Sequence, residues 1–239
     1  MTSARLELEN LRCMRGGGEH AFSIEVSSFS LAAGEIVALT GPSGSGKSTL
    51  LEILGLALRP AAARVFRWRT ESGKPPIDIA ALWQGGSERA ICRLRASHIG
   101  FVLQTGGLVP FLSVQENIAL PRQLSGQPAW STPMDEMIET LGIGPLLGKK
   151  PHQLSIGERQ RSAIARALAH EPLLLLADEP TSALDPERAN AVMNLLIELV
   201  RKRHGMAVIV THDRERVQTL GLREIQAQLQ HGAKAARLV

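Results

Sequence analysis

The sequence predicts an α/β fold built around a parallel β-sheet, and three observations favour it. A glycine-rich segment, residues 41–49, lies between an apolar run and a helix-forming run. Further along the chain, apolar runs of strand length alternate with segments of helical periodicity. Residues 173–177 are wholly apolar, as expected for a strand that a parallel sheet buries on both faces. A chain of 239 residues has room for one large domain or two small ones.

Composition narrows the classes of partner. The chain is 44% hydrophobic but only 3% aromatic, with no Tyr, so its core must be aliphatic. The net charge is +4, with arginine clusters at 64–69 and 89–95. A solvated face is favoured over a nucleic-acid patch for each cluster, so we expect no nucleic-acid partner. Cys13 and Cys92 lie far apart and predict neither a disulfide framework nor a zinc site. We see neither a signal peptide nor an apolar stretch near the roughly 18 residues of a membrane span, so we expect membrane association only through a partner.

Ahead of the glycine-rich segment, the chain predicts a β-rich opening. Residues 5–11 and 22–26 alternate apolar and polar side chains, which is the period of a half-buried strand. A turn at 15–18 separates them, and residues 29–31 can continue the second strand. Residues 36–39 predict a buried strand that leads into the glycine-rich segment.

The remaining elements alternate between helix and strand. Residues 50–54 predict a helix and residues 64–68 an edge strand. Two short helical pieces are predicted at 79–82 and 88–94. Residues 99–103 predict a buried strand that ends at Gln104. Ser113 and Glu116 have the spacing of a capping box, which predicts a helix start. Later segments predict helices at 134–141, from about 159 to near His170 and at 187–203, and strands at 173–177 and 207–210. The polar, alanine-rich tail at 231–237 is expected to be frayed.

The glycine-rich segment matches the phosphate-binding pattern G-x-x-x-x-G-K-[ST]. Glycines allow successive backbone N–H groups to turn inward and form an anion site, to which the following helix adds its positive end. Lys47 supplies a cation for the outer phosphates, and the Ser48 hydroxyl can bind Mg²⁺. A chance match is the alternative, but the strand-to-helix context favours a nucleoside triphosphate. We assign binding to Gly41, Ser43, Gly44, Ser45, Gly46, Lys47, Ser48 and Thr49.

Polar residues follow three other predicted strands: Gln104, Asp178-Glu179 and His212. Singly, a glutamine there is more often a surface residue and a histidine more often structural. Ligands collect at the carboxyl ends of strands in open α/β sheets, however, and two carboxylates after a wholly apolar strand point to a metal. Together they predict transfer of a phosphoryl group to water. Asp178 and Gln104 would hold Mg²⁺ beside Ser48, Glu179 would polarise the water, and His212 would contact the γ-phosphate.

The order of these motifs resembles that of the ATP-binding-cassette (ABC) ATPases. The resemblance rests on the loop at 41–49 (Walker A), Gln104 (Q-loop), residues 154–158 (signature), residues 173–179 (Walker B) and His212 (switch histidine), with 182–185 as the D-loop. It implies a P-loop NTPase of ABC type with a mixed sheet core, an antiparallel β subdomain and a helical subdomain at roughly 105–168. Residues 1–239 would form a single nucleotide-binding domain.

The resemblance also implies partners. Two copies would meet head to tail and enclose ATP and Mg²⁺, with Ser155, Gly157 and Glu158 of one copy facing the nucleotide on the other. Integral membrane permease subunits on separate chains would couple through the region of Gln104. The protein would then be cytoplasmic, at the inner face of the cytoplasmic membrane.

Residues 99–104 and 110–121 resemble the branch that serves lipoprotein release, macrolide efflux and cell division. An envelope signalling complex, such as one associated with type VI secretion, and a non-transport ABC protein are the alternatives. The non-transport types usually carry two cassettes or a long coiled-coil insertion.

Two departures from the family pattern bear on activity. Ile156 stands in the signature where the family usually has Gly, which predicts a tuned or slow ATPase because Ser155 and Gly157 are kept. Glu158 in place of the usual Gln is a milder change. Arg15 lies near the position of the usual adenine-stacking aromatic, so Arg15 or Phe22 would have to serve.

Overall fold

A computed structural model describes residues 5–16, 22–182, 184–229 and 235–238. The chain divides into two compact units. The first unit comprises residues 1–95 and 208–239, and the second comprises residues 96–207.

The described residues form strands and helices in the following order. The strands are β1 (Arg5–Arg15), β2 (Phe22–Ala32), β3 (Ile36–Thr40), β4 (Val65–Arg69), β5 (Ile77–Asp78), β6 (Ile99–Val102), β7 (Leu174–Asp178), β8 (Met206–Val210), β9 (Arg223–Leu229) and β10 (Ala235–Leu238). The helices are α1 (Lys47–Leu54), α2 (Ile79–Gln84), α3 (Glu88–His98), α4 (Val114–Leu124), α5 (Thr132–Leu141), α6 (Ile156–Leu168), α7 (Pro186–Lys202) and α8 (Arg214–Thr219). Short 3₁₀ turns lie at Gly144–Leu146 and Pro151–Gln153.

The first unit carries a mixed sheet with the strand order β5-β4-β1-β2-β10-β9-β3. Strands β5, β4, β1 and β2 are antiparallel, and Leu8 of β1 lies opposite both Phe29 and Phe66. The central position of Leu8 explains its complete burial, and the alternating pattern of the opening is thereby confirmed as strand. Strand β9 runs parallel to β3, and Thr40 is paired with Gln226.

The second unit holds the parallel pair β6 and β7, which are buried as the sequence predicted. Ile99 is paired with Leu174 and Val102 with Ala177. Helix α6 contacts β6, α4 and α5. Gly100 makes the close packing of α6 possible, because a Cβ there would lie 2.2 Å from the carbonyl oxygen of Ala167.

Strand β8 passes from the second unit into the first. The N–H of Met206 donates to the carbonyl of Leu173 in the second unit, at 2.8 Å. The N–H of Thr211, just after the strand, donates to the carbonyl of Leu39 in the first unit, at 3.2 Å. The predicted capping box is also confirmed, because Ser113 and Glu116 satisfy each other's backbone N–H groups at the start of α4.

The expectation of a frayed tail is wrong for part of it. Residues 230–234 lie outside the described residues, but Ala235–Leu238 forms β10 between β2 and β9. Its backbone groups pair with two neighbouring strands, and polar composition does not prevent that pairing. Strand β9 was not anticipated either. No helix among the described residues is both long and apolar enough to cross a bilayer.

Candidate functional site

The glycine-rich segment forms a loop between β3 and α1. Gly41, Gly44 and Gly46 have φ values of 141°, 76° and 82°, which favour glycine. At two of them there is also no space for a side chain. A Cβ on Gly41 would lie 2.4 Å from the carbonyl oxygen of Ala227, and one on Gly46 would lie 2.5 Å from Ile24. The loop is therefore held close against β9 and β2, with its backbone in the conformation that a phosphate cradle needs.

Lys47 begins α1 and folds back over the loop. Its side chain is buried, and its ammonium group donates to the carbonyl oxygens of Gly41 and Pro42, at 2.8 Å each. Ser48, the next residue, is exposed. The hydroxyl of Ser45 is buried and has no hydrogen-bond partner in the part of the chain that the structure describes. The loop thus presents a cation, an exposed hydroxyl and a helix N-terminus in one place, which is the donor set that a polyphosphate requires.

Both candidates for contact with the base lie beside this loop. The guanidinium of Arg15 donates to the hydroxyl of Thr49 at 3.4 Å and pairs with Glu52 of α1 at 2.6 Å. Phe22 is the cross-strand partner of Arg15, and its ring lies 3.5 Å from where a Cβ on Gly46 would be. Arg15 and Phe22 therefore flank the side of the loop where α1 begins.

His212 lies just after the end of β8 in the first unit, and hydrogen bonds hold the residues on both sides of it. Thr211 is buried and pairs with Leu39, two residues before Gly41. Asp213 donates its N–H to the Thr211 hydroxyl at 3.1 Å, and its carboxylate caps α8. These bonds fix the backbone on both sides of the exposed His212 at the sheet edge from which the phosphate loop leaves.

Gln104 and the two carboxylates come together in the second unit. Since Val102 and Ala177 are paired, Gln104 and Asp178-Glu179 leave adjacent parallel strands at the same edge. Asp178 and Glu179 are half-buried, whereas Gln104 is exposed. Glu179 has φ of 48°, which is uncommon for a residue with a side chain. Its carbonyl accepts from both the N–H and the hydroxyl of Ser182, and this turn holds the backbone in place.

The signature residues lie at the N-terminus of α6. Ser155 caps the helix, with its hydroxyl accepting from the N–H of Glu158 at 3.3 Å and its own N–H donating to the Glu158 carboxylate at 2.8 Å. The latter hydrogen bond lowers the pKa of Glu158. Gly157 is half-buried, and Ile156 is 56% exposed. The accepting hydroxyl of Ser155 keeps a hydrogen that it can donate.

A pocket of about 560 Å³ joins the Q-loop to the signature helix within the second unit. Its lining residues are Gln104, Thr105, Ile156, Arg159, Gln160 and Ser182. Gln160 is buried, and its amide nitrogen has no partner among the described residues. Ile156 and Gln104 therefore face one shared space.

Each unit assembles one part of the predicted site. The first unit gathers the phosphate loop and His212, and the second gathers Gln104, Asp178-Glu179 and the signature. Sequence reasoning missed Glu52, which pairs with Arg15, and Glu224, which accepts from Thr40. Neither residue lies in a recognisable motif, and Glu224 belongs to a strand that was not predicted.

The donor types suit ATP with Mg²⁺. Ser48, Gln104 and Asp178 offer a hydroxyl, a carboxamide and a carboxylate, which are the oxygen ligands that Mg²⁺ prefers. The glycine conformations and the buried Lys47 suit the phosphates.

Comparison with known proteins gives concordant results. The family model described as "ABC transporter" matches residues 24–182. The lipoprotein-releasing system ATP-binding protein LolD of Paramagnetospirillum magneticum is 42% identical over 217 residues, which cover 89% of this chain and 91% of that protein. The pyoverdine export ATP-binding/permease protein PvdT of Pseudomonas fluorescens is 38% identical over 220 residues, covering 90% of this chain and 32% of that protein.

The comparison with solved structures also finds ATP-binding cassettes. A dimeric post-hydrolysis state of the ATP-binding cassette MJ0796, bound to ADP and Pi, superposes with a TM-score of 0.75 at 33% identity. The superposition covers 92% of this chain and 93% of that one.

Proposed function

The chain belongs to the ABC transporter family, and we propose that it is the ATP-hydrolysing subunit of a bacterial envelope complex that releases lipoproteins. The observation that carries the catalytic part is the pairing of Val102 with Ala177, which leads Gln104 and Asp178-Glu179 out of one sheet edge. The relative LolD, named for a lipoprotein-releasing system, supports the choice of cargo.

The proposed catalytic residues act by position and charge. Lys47 neutralises the outer phosphates, and Glu179 polarises the attacking water. His212 hydrogen-bonds the γ-phosphate, and Gln104 contacts the metal or the water. Mg²⁺ would be held by Ser48, Gln104 and Asp178, and it would neutralise charge that develops on the phosphate oxygens.

Base recognition is assigned to Arg15. Its guanidinium is braced by Glu52 at 2.6 Å beside the loop, which leaves a planar cation on which a purine can stack. Phe22 is the second candidate, and its ring would need to lie parallel to the base.

ATP would close a head-to-tail dimer. In that dimer Ser155 and the N–H of Gly157 would donate to the γ-phosphate bound by the other copy, at the positive end of α6. The dimeric form of MJ0796 supports this assembly. Glu158 stands at the third position of the helix, where its carboxylate holds the Ser155 cap in place.

The protein would work on the cytoplasmic face of the membrane, held there by permease subunits. Residues 105–168 would form the helical subdomain of a single nucleotide-binding domain, with permease contacts near Gln104. PvdT is named as an ATP-binding/permease protein, which supports a permease as the partner class. An envelope signalling complex is the second candidate, and the identity of the membrane partner separates the two.

Affinity purification from detergent-extracted native membranes tests this proposal. A tagged chain carrying Glu179→Gln, with ATP and Mg²⁺ present, should co-purify with an integral permease in stoichiometric amount. A Lys47→Ala chain is the matched control for nucleotide-dependent recovery. Recovery of lipoproteins with the permease supports lipoprotein release, and a signalling receptor in its place supports the second candidate. Recovery of no membrane protein contradicts both.

A further inference from the structure

The carboxylate of Glu224 connects two nucleotide-facing segments of the first unit. Glu224 lies on β9 and is not part of any motif. Its Oε1 atom accepts from the hydroxyl of Thr40 at 2.5 Å and lies 3.3 Å from Nε of Arg214. The side-chain amide of Gln226 adds a longer contact, at 3.5 Å. The Oε1 atom of Glu224 is thus contacted by donor groups on β3, β9 and α8.

The contact with Thr40 reaches the phosphate loop. Thr40 is the last residue of β3, it is 1% exposed, and the next residue is Gly41. Gly41 has φ of 141° and lies against the backbone of β9 at Ala227. The buried Thr40 hydroxyl needs an acceptor, and the half-buried carboxylate of Glu224 provides one at the residue that directly precedes the loop.

The contact with Arg214 reaches the switch histidine. Arg214 is the first residue of α8 and follows His212 by two positions, with the helix cap Asp213 between them. Because α8 has only a short hydrogen-bonded stretch, an anchor on its first residue constrains the backbone at His212. Asp213 is itself tied to Thr211 and Arg216.

The energetics fit a positional role better than a stabilising one. The Glu224 side chain is 23% exposed and that of Arg214 is 56% exposed, so their ion pair is screened by solvent. Such a pair contributes little to global stability. It can still select one arrangement of His212 relative to the loop.

We propose that Glu224 is a positioning residue that ties His212 to the phosphate loop through Arg214 and Thr40. This inference rests on the proposed role of His212 in hydrolysis. The tether orients the histidine for the γ-phosphate and leaves ATP affinity to the loop.

Steady-state kinetics on the full chain tests the tether. Glu224→Gln is nearly isosteric and keeps an acceptor for Thr40, but it removes the charge that holds Arg214. We expect kcat to fall about threefold to tenfold, because the loss of this partly exposed ion pair leaves His212 in the wrong orientation for the γ-phosphate. The Kd for a fluorescent ATP analogue and the Tm should stay close to wild type. Arg223→Gln is the matched control, because Arg223 also lies on β9 and the change breaks a comparable ion pair, with Glu35.

Two double variants make the test specific. Glu224→Gln combined with Arg214→Gln should be no slower than Glu224→Gln alone, because both changes break one interaction. Glu224→Gln added to His212→Ala should cause no further loss of kcat. Thr40→Val breaks the tether at its other end, so it should lower kcat while the Kd for the nucleotide stays close to wild type.

The outcomes separate this inference from the proposed function. Full hydrolysis by His212→Ala would overturn the role of His212 and the tether with it. An inactive His212→Ala together with a Glu224→Gln variant as fast as Arg223→Gln would overturn the tether alone. A Glu224→Gln variant that loses Tm or ATP affinity with kcat unchanged would also overturn it.

Discussion

The ammonium group of Lys47 lies 2.8 Å from the carbonyl oxygen of Gly41, so the lysine of the phosphate loop is hydrogen-bonded to the backbone of the same loop. A second bond reaches Pro42 at the same distance. Phosphate oxygens would compete with these neutral carbonyls for the charge and would win, because charge-assisted hydrogen bonds to an anion are stronger. These two bonds tie Lys47 to the backbone of the loop, so its charge lies where the phosphates are expected to bind.

Replacing Lys47 by Ala should weaken ATP binding sharply. The variant loses a charge-assisted contact of about 1.5–3 kcal/mol, so the Kd should rise roughly tenfold to a hundredfold. Titration with a fluorescent ATP analogue measures this directly. Lys74→Gln, which removes an exposed lysine paired with Glu71, is the control and should bind like wild type. An unchanged Kd in Lys47→Ala would contradict the assignment of the loop.

The signature isoleucine provides a second prediction. Ile156 is the first residue of α6 and projects a largely exposed β-branched side chain beside Ser155. Ile156→Gly should preserve or raise the ATPase rate, because the smaller residue relieves crowding of a nucleotide on the other copy. Ile156→Ala should fall between the two in a coupled assay of phosphate release. A large loss of rate in both variants would show that the isoleucine is required.

The sequence predicts the motif-bearing elements well because their signals are local. The apolar runs at β3, β6, β7 and β8 and the capping box at Ser113 depend on neighbours within a few residues. Strand β10 depends instead on pairing with β2 and β9, which are distant in sequence. Its polar composition therefore misled the prediction, and tertiary pairing overrode local propensity.

The residues of the candidate site also fall into two groups, those with a local sequence signal and those without one. Lys47 and Glu179 stand in patterns that can be recognised by spacing. Glu52 and Glu224 act through contacts with residues 37 and 184 positions away, at Arg15 and Thr40. No local pattern encodes such contacts.

Acid should destabilise the second unit through His170. This residue is 3% exposed, and its Nε2 lies 3.0 Å from the carbonyl oxygen of Ile99. Burial lowers its pKa below the ordinary value of 6.5. The unfolded chain therefore binds a proton more readily than the native one, and the stability present above pH 6.5 is lost as the pH falls towards the lowered pKa.

Thermal unfolding at about pH 7.5 and about pH 5.5 measures this effect, since the interval brackets the usual histidine range. The fall in Tm on acidification should be smaller in His170→Gln than in wild type. His152→Gln changes an exposed histidine and should keep the wild-type fall. Equal falls in wild type and His170→Gln would contradict the prediction.

Close packing of α6 against β6 gives a steric prediction. A Cβ on Gly100 would lie 2.2 Å from the carbonyl oxygen of Ala167 and 3.0 Å from Pro172. Gly100→Ala should therefore lower the free energy of unfolding by about 1–3 kcal/mol, as overpacking of a tight interior does. Denaturant unfolding measures the loss. Gly148→Ala, where nothing lies within 4 Å of the new Cβ, should be close to neutral.

The role of Glu179 as the residue that activates water is the central claim, and Glu179→Gln tests it most directly. The substitution keeps the shape and the strained backbone position but removes the charge that polarises the water. Sedimentation of this variant with ATP and Mg²⁺, together with its rate of phosphate release, is the decisive measurement. We predict a stable ATP-bound dimer with no turnover. A variant that hydrolyses ATP at the wild-type rate, or that binds ATP and stays monomeric, would contradict the account.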